Sequence, residues 1–151
     1  MPLFKQEILK RNNDGTPFWD IICMQEVDRH QEIFGQEPRF SGTIMSTNEE
    51  GRHTNAILFN QERFSFISKT ESFYKDTKSG ADASQGYISV LLKEKKTGVN
   101  FEIFTTHLKA KEGFEQIRDS QMEQLLDVCT GAKHPVILTG DWNDVPDSPA
   151  V

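Results

Sequence analysis

Tyr87-Ile-Ser-Val-Leu-Leu-Lys93 and Val99-Asn-Phe-Glu-Ile-Phe-Thr-Thr-His107 flank the cluster Lys95-Lys96-Thr97-Gly98. Two apolar runs on either side of such a turn read as a β-hairpin. Upstream, Asn55–Phe59 and Arg63–Ser68 read as two more strands, joined by a tight Asn60-Gln61-Glu62 turn. Phe40–Met45 is a further strand, Asn48–Thr54 is polar and turn-like, and Lys75–Gln85 reads as a polar loop around Gly80. Downstream, residues 112–129 carry Phe114, Ile117, Leu125 and Val128 at helical spacing, and Gly131 is placed to stop that helix. Pro135–Thr139 then reads as a last buried strand, and Gly140–Val151 as a loop.

The amino-terminal part follows the same logic. Residues 2–11 read as a helix with Phe4, Ile8 and Leu9 on one face, stopped by Asn12-Asn13-Asp14-Gly15. Asp20–Gln25 is a continuous apolar run, as expected of a strand buried on both faces, and a short helix is predicted over residues 28–34. The mixture implies an α/β sandwich, with mainly antiparallel sheets packed face to face and helices outside.

The bulk numbers bound the function. One domain of 151 residues is expected, with 36% hydrophobic and 26% charged residues, as in an ordinary globular protein. The net charge of −6 argues against a broad electrostatic footprint on duplex nucleic acid, but leaves room for a local basic pocket. Apolar runs are too short to span a membrane. Cys23 and Cys129 lack metal-ligand spacing and read as reduced core thiols, which fits a cytoplasmic protein. Any targeting segment upstream of Met1 would leave no trace here.

Three apolar strands run out into polar residues of catalytic type. The first cluster is Gln25-Glu26-Val27-Asp28. A carboxylate held at the end of a strand suits Mg²⁺, which takes one or two carboxylates plus waters and substrate phosphate; alternatively, Glu26 only caps a strand in solvent. The second is Thr105-Thr106-His107-Leu108-Lys109-Ala110-Lys111. Alternation puts His107, Lys109 and Lys111 on one side if the strand persists, where they can engage a phosphate; the alternative is a buried, bonded His beside two solvated lysines. The third is Gly140-Asp141-Trp142-Asn143-Asp144-Val145-Pro146. In an extended chain Asp141 and Asn143 point the same way, and Gly140 permits close backbone approach; the competing reading is a common Asp/Asn turn.

In this order the three clusters resemble the endonuclease/exonuclease/phosphatase superfamily. Thr106–Gln121, with Gly113-Phe114-Glu115, Arg118 and Gln121, is most similar to the branch of CCR4-type deadenylases, nocturnin and Angel proteins, nearest nocturnin. The resemblance implies a DNase I-like two-sheet sandwich and a Mg²⁺-dependent phosphoesterase, with Mn²⁺ as the alternative metal. By position, Glu26 would bind the metal, Asp141 would orient or deprotonate the attacking water, and Asn143 would hold a phosphoryl oxygen. His107 would stabilise the phosphate or leaving group, and Lys109 and Lys111 would contact substrate phosphates. The substrate would be the 3′ end of poly(A) RNA or the 2′-phosphate of NADP(H).

Departures from the branch are also legible. The family's amino-terminal strand with a metal-site Asn has no counterpart before residue 2, and its carboxy-terminal Asp-His motif has none by Val151. The expectation is therefore a partial domain, residues 1–151, incomplete at both ends and prone to aggregate; the alternative is a pseudoenzyme that only binds phosphate or RNA. Thr47 stands where nocturnin-like proteins place a Lys, Lys111 stands where they place an Arg, and the loop 46–53 is shorter. Lys keeps the charge of Arg without its bidentate fork.

Overall fold

Asn55–Asn60 shows how the sequence builds the two layers. Every residue of this strand is buried. Ile57 and Phe59 pack on one side, and Ala56 and Leu58 on the other. The period of two along a strand makes this possible only where both faces of the sheet are covered. In the computed structural model, which describes residues 6–27, 40–45 and 55–144, that strand is the centre of a three-stranded sheet.

Seven strands and one long helix follow in order: β1 (Ile21–Met24), β2 (Phe40–Met45), β3 (Asn55–Asn60), β4 (Phe64–Lys75), β5 (Asp82–Glu94), β6 (Asn100–His107), α1 (Glu115–Thr130) and β7 (Val136–Asp141). The first sheet has the order β1-β3-β2 and is antiparallel. The second has the order β4-β5-β6-β7, antiparallel except for the parallel pair β6 and β7. Parallel neighbours need a crossover, which α1 supplies. Between the sheets lies an apolar core of Ile57, Phe59, Phe64, Ile88, Val90, Leu92 and Ile103. Burial of each such side chain is worth about 1.5–3 kcal/mol relative to exposure. Under α1, on the other face of the second sheet, lie Tyr74, Tyr87, Phe104, Leu108 and Leu125. The two-sheet, mainly antiparallel sandwich is thus the fold expected from the pattern.

Several elements differ from their sequence reading. Residues 6–8 form a helical turn, and Arg11 instead bridges Pro17, because Asn12 closes a tight loop through its backbone N–H to Thr16 O at 2.9 Å. β1 is a half-buried edge strand, not one buried on both faces. The turn after β3 does not close a hairpin: β3 and β4 belong to different sheets, so this turn carries the chain from one layer to the other. The supposed loop 75–85 is shorter, since β4 runs to Lys75 and β5 starts at Asp82, leaving residues 76–81 between them. Hydrogen bonds from Ser79 and Lys78 to Asp76 close the short turn between them and hold the Asp76 carboxyl below its ordinary value. β7 is a partly exposed edge strand, with Ile137 at 49% exposure, and it reaches through Gly140 to Asp141. The helix expected over 28–34, the turn 48–54 and the end of the tail after Asp144 lie outside the described residues.

The largest correction concerns α1. Ile117 and Val128, assigned by periodicity to its inner face, are both exposed, whereas Arg118, Gln121 and Leu125 are buried. Arg118, Gln121 and Leu125 also recur at helical spacing, but two of the three are polar, so a hydrophobic template passes over them.

Candidate active site

β6 and β7 run in parallel and end together, with His107 and Asp141 as register partners. The close approach depends on Gly140: a Cβ there would meet the Thr106 carbonyl oxygen at 2.7 Å. Two bonds then join the loops beyond the strands. Leu108 N–H donates to Asp141 O at 2.9 Å, and Asn143 Nδ2 donates to Leu108 O at 2.9 Å.

Asn143 does not continue the extended chain. Its φ is 52°, and its N–H folds back to Asp141 Oδ1 at 3.0 Å. The two side chains therefore do not share a strand face as the spacing predicted. Their relation is that of an Asp-led turn, which accepts the next-but-one N–H and tolerates left-handed backbone.

Glu26 arrives from the other sheet. Gln25 Nε2 donates to Thr105 Oγ1 at 2.7 Å, tying the end of β1 to β6 across the sandwich. Glu26 takes φ 55° and turns its exposed carboxylate towards the imidazole. The result is a buried His107, 7% exposed, between two carboxylates. Its Nδ1 lies 4.0 Å from Glu26 Oε1 and its Nε2 lies 3.9 Å from Asp141 Oδ2. Both separations exceed a hydrogen bond but lie within strong electrostatic range.

The lysines come together without the strand that was expected to align them. β6 ends at His107, and Lys109 and Lys111 sit on the loop beyond, Lys111 with φ 82°. Lys109 Nζ lies 4.9 Å over the Phe114 ring, and its backbone N–H donates to Gln121 Oε1 at 2.9 Å. Glu26, His107, Lys109 and Lys111 line one cleft of about 290 Å³, together with Ser84 and Gln85. Asp141 and Asn143 stand on the other side of the imidazole and do not line that cleft. A second groove, of about 350 Å³, shares Ser84, Gln85 and Lys109 with the first and continues past Gln121 to Ser120 and Lys75.

Sequence reading assigned no role to Gln25, Ser84, Gln85, Arg118 or Gln121. The available signal was polarity at interior positions, a Gln directly after an apolar strand and an Arg and a Gln on a helix face that also carries Leu125. Behind the site, burial pushes the Tyr74 hydroxyl well above its ordinary titration range, and that hydroxyl lies 2.7 Å from Thr106 Oγ1.

Among the described residues no group of three or more His, Cys, Asp or Glu could hold a metal. A hard cation that keeps most of its waters can be held by one or two carboxylates, and the exposed Glu26 carboxylate lines the cleft.

The family described as the endonuclease/exonuclease/phosphatase family matches residues 4–151. The chain belongs to that family. It is 34% identical to mouse nocturnin over 143 residues, which is 84% of this chain and 33% of the mouse protein. The solved catalytic domain of human nocturnin, with a bound sulfate anion, superposes with a TM-score of 0.73 at 28% identity, covering 87% of this chain and 54% of that one. ANGEL2, a 2′,3′-cyclic phosphatase, shares the fold with a TM-score of 0.77 at 22% identity, over 99% of this chain and 44% of its own. The chain spans about a third of the length of the nocturnins that it matches. Among the described residues no helix is long and apolar enough to cross a membrane.

Proposed function

We propose that this member of the endonuclease/exonuclease/phosphatase family is a nocturnin-like, Mg²⁺-dependent phosphoesterase acting on nucleotides. The observation that carries the proposal is the cleft in which Glu26, His107, Lys109 and Lys111 converge. Glu26 would hold the Mg²⁺, with Mn²⁺ as a substitute, and a metal bound there neutralises charge on phosphoryl oxygens. Lys109 and Lys111 bind substrate phosphates as point charges. His107, buried between two carboxylates, stabilises the phosphate or the leaving group. Asp141, across the imidazole from that cleft, would orient the attacking water or take its proton, and Asn143 would offer a phosphoryl oxygen the amide hydrogen that its bond to Leu108 leaves over. Positioning and charge stabilisation do most of the work in such displacements.

Two observations favour the 2′-phosphate of a dinucleotide of the NADP(H) type over RNA. The net charge of −6 gives no broad attraction for polyanions. The second groove gives a dinucleotide a place to lie beyond its phosphate. Poly(A) is the competing substrate. Incubation with NADPH and with poly(A) separately, in Mg²⁺, tests this choice. Faster phosphate release from NADPH is expected, and faster nucleotide release from poly(A) would reverse the assignment. The second reading, a non-catalytic phosphate-binding module, is favoured by the lack of a three-residue metal cluster among the described residues. Saturable binding of both substrates with turnover of neither would establish it.

A further inference from the structure

Arg118 is the only Lys, Arg, Asp or Glu among the described residues that is buried, at 4% exposure, and the chemistry above gives it no part. A charge is buried at such a position only if its partners satisfy it. Here the partners are the two site loops. Nη1 donates to the Lys109 carbonyl at 3.2 Å and to the Lys111 carbonyl at 2.9 Å. Nε donates to Asp144 Oδ2 at 3.4 Å, on the loop that carries Asp141 and Asn143. Nη2 pairs with Glu115 Oε1 at 3.4 Å. The loop bends around the guanidinium through left-handed backbone at Lys111 and Gly113, with φ 82° and 81°. For Lys111 that conformation is costly without support, and the bond to its carbonyl supplies support.

We infer that Arg118 is a positioning residue, which clamps the loop of Lys109 and Lys111 to the loop of Asp141 and Asn143 and so fixes the phosphate-gripping charges relative to the catalytic pair. The inference rests on the phosphoesterase reading. It needs a planar fork with donors aimed in several directions. Lys at position 118 keeps the charge but cannot reach two carbonyls and two carboxylates. The clamp explains why the inner face of α1 is polar next to an apolar cluster.

The test measures binding of adenosine 2′,5′-bisphosphate by amide NMR shifts, on the full chain, well below the melting point of every variant. Wild type should bind with saturable shifts at Lys109 and Lys111. Arg118→Lys should weaken binding roughly tenfold, the size expected when hydrogen bonds from a charged group are lost. Lys111→Ala should then cost much less in the Arg118→Lys background than in wild type, since a misplaced lysine has little left to lose. Leu92→Ala is the control for mere destabilisation: it removes packing from the core between the sheets, a cluster that contains no residue of either loop, and should leave affinity unchanged. If Arg118→Lys does not fold, Asp144→Ala removes the acceptor at one end of the clamp and should still weaken binding severalfold. Full affinity in Arg118→Lys or Asp144→Ala, or an equal loss in Leu92→Ala, overturns the inference alone. No saturable binding by folded wild type overturns both the phosphoesterase reading and the inference.

Discussion

The two ends of the candidate site are held in different ways. On the β6/β7 side, adjacent parallel strands deliver His107 and Asp141 as register partners, Gly140 permits their close approach, and Asn143 and Arg118 bond the two loops to each other. On the β1 side, Glu26 follows an edge strand of a three-stranded sheet, and the Gln25 side chain on Thr105 ties the end of that strand across the sandwich. Lys109, Lys111, His107 and Asp141 thus belong to one preorganised unit, whereas the Glu26 carboxylate depends on how the two sheets sit on each other. Preorganisation of charge is where most catalytic stabilisation comes from, so the weaker tie is the more sensitive one.

The largest effect should follow from removing the charge that crosses between the sheets. Glu26→Gln preserves shape and is expected to lower turnover by at least about a hundredfold, with little change in melting temperature, as for loss of one electrostatic stabiliser. Steady-state kinetics beside a thermal melt check this. An equal loss of stability and activity would mean that Glu26 is structural.

Gly140→Ala attacks the other side. The new methyl would stand 2.7 Å from the Thr106 carbonyl oxygen. The β6/β7 pair must spread, at a cost of about 1–3 kcal/mol, and a denaturant titration reads that loss. Retained stability would show that the two strands approach less closely.

Gln25→Leu tests the tie across the sandwich. It leaves the buried Thr105 hydroxyl without this partner, at a cost of about 1–3 kcal/mol. Adding Thr105→Val should restore much of the stability, because removing both partners can be nearly neutral. Turnover should stay low in the double variant, since Glu26 has lost its anchor. Recovery of both would remove the distinction between the two sides.

The smallest effect within the working range concerns pH. Burial raises the titration of Tyr74 above its unfolded value of 10.0. A group whose pKa is raised by folding contributes stability that is complete below the unfolded value. That contribution is lost as pH climbs from about 10 towards the folded value. Alkaline unfolding should therefore begin above about pH 10 and shift upward in Tyr74→Phe, unless loss of the bond to Thr106 outweighs it. An unchanged alkaline limb would remove Tyr74 from that transition.

Much of the sandwich was legible because strand periodicity and turn chemistry are local. The β5/β6 hairpin and the strand character of β3 needed no tertiary information. The passage of β4 to a second sheet did not show, because a tight turn such as Asn60-Gln61-Glu62 can either close a hairpin or change layers. The strand-end clusters were legible as chemistry, and the fold brings Glu26, His107, Lys109 and Lys111 together. Their geometry was not. Asn143 and Lys111 take left-handed backbone, held by the Asp141 turn and by the bond from Arg118. Arg118 looks like a surface residue until the loops that it binds are in place.

If the Glu26 carboxylate holds a divalent cation at the cleft, a bound paramagnetic ion must sit beside it. Paramagnetic broadening by Mn²⁺ tests this directly, without requiring turnover. Titration of substoichiometric Mn²⁺ into the ¹⁵N-labelled chain should broaden the amides around Glu26, His107 and Lys109 first, and this should vanish in Glu26→Gln and be displaced by excess Mg²⁺. Broadening centred elsewhere, or unchanged in Glu26→Gln, would contradict the account.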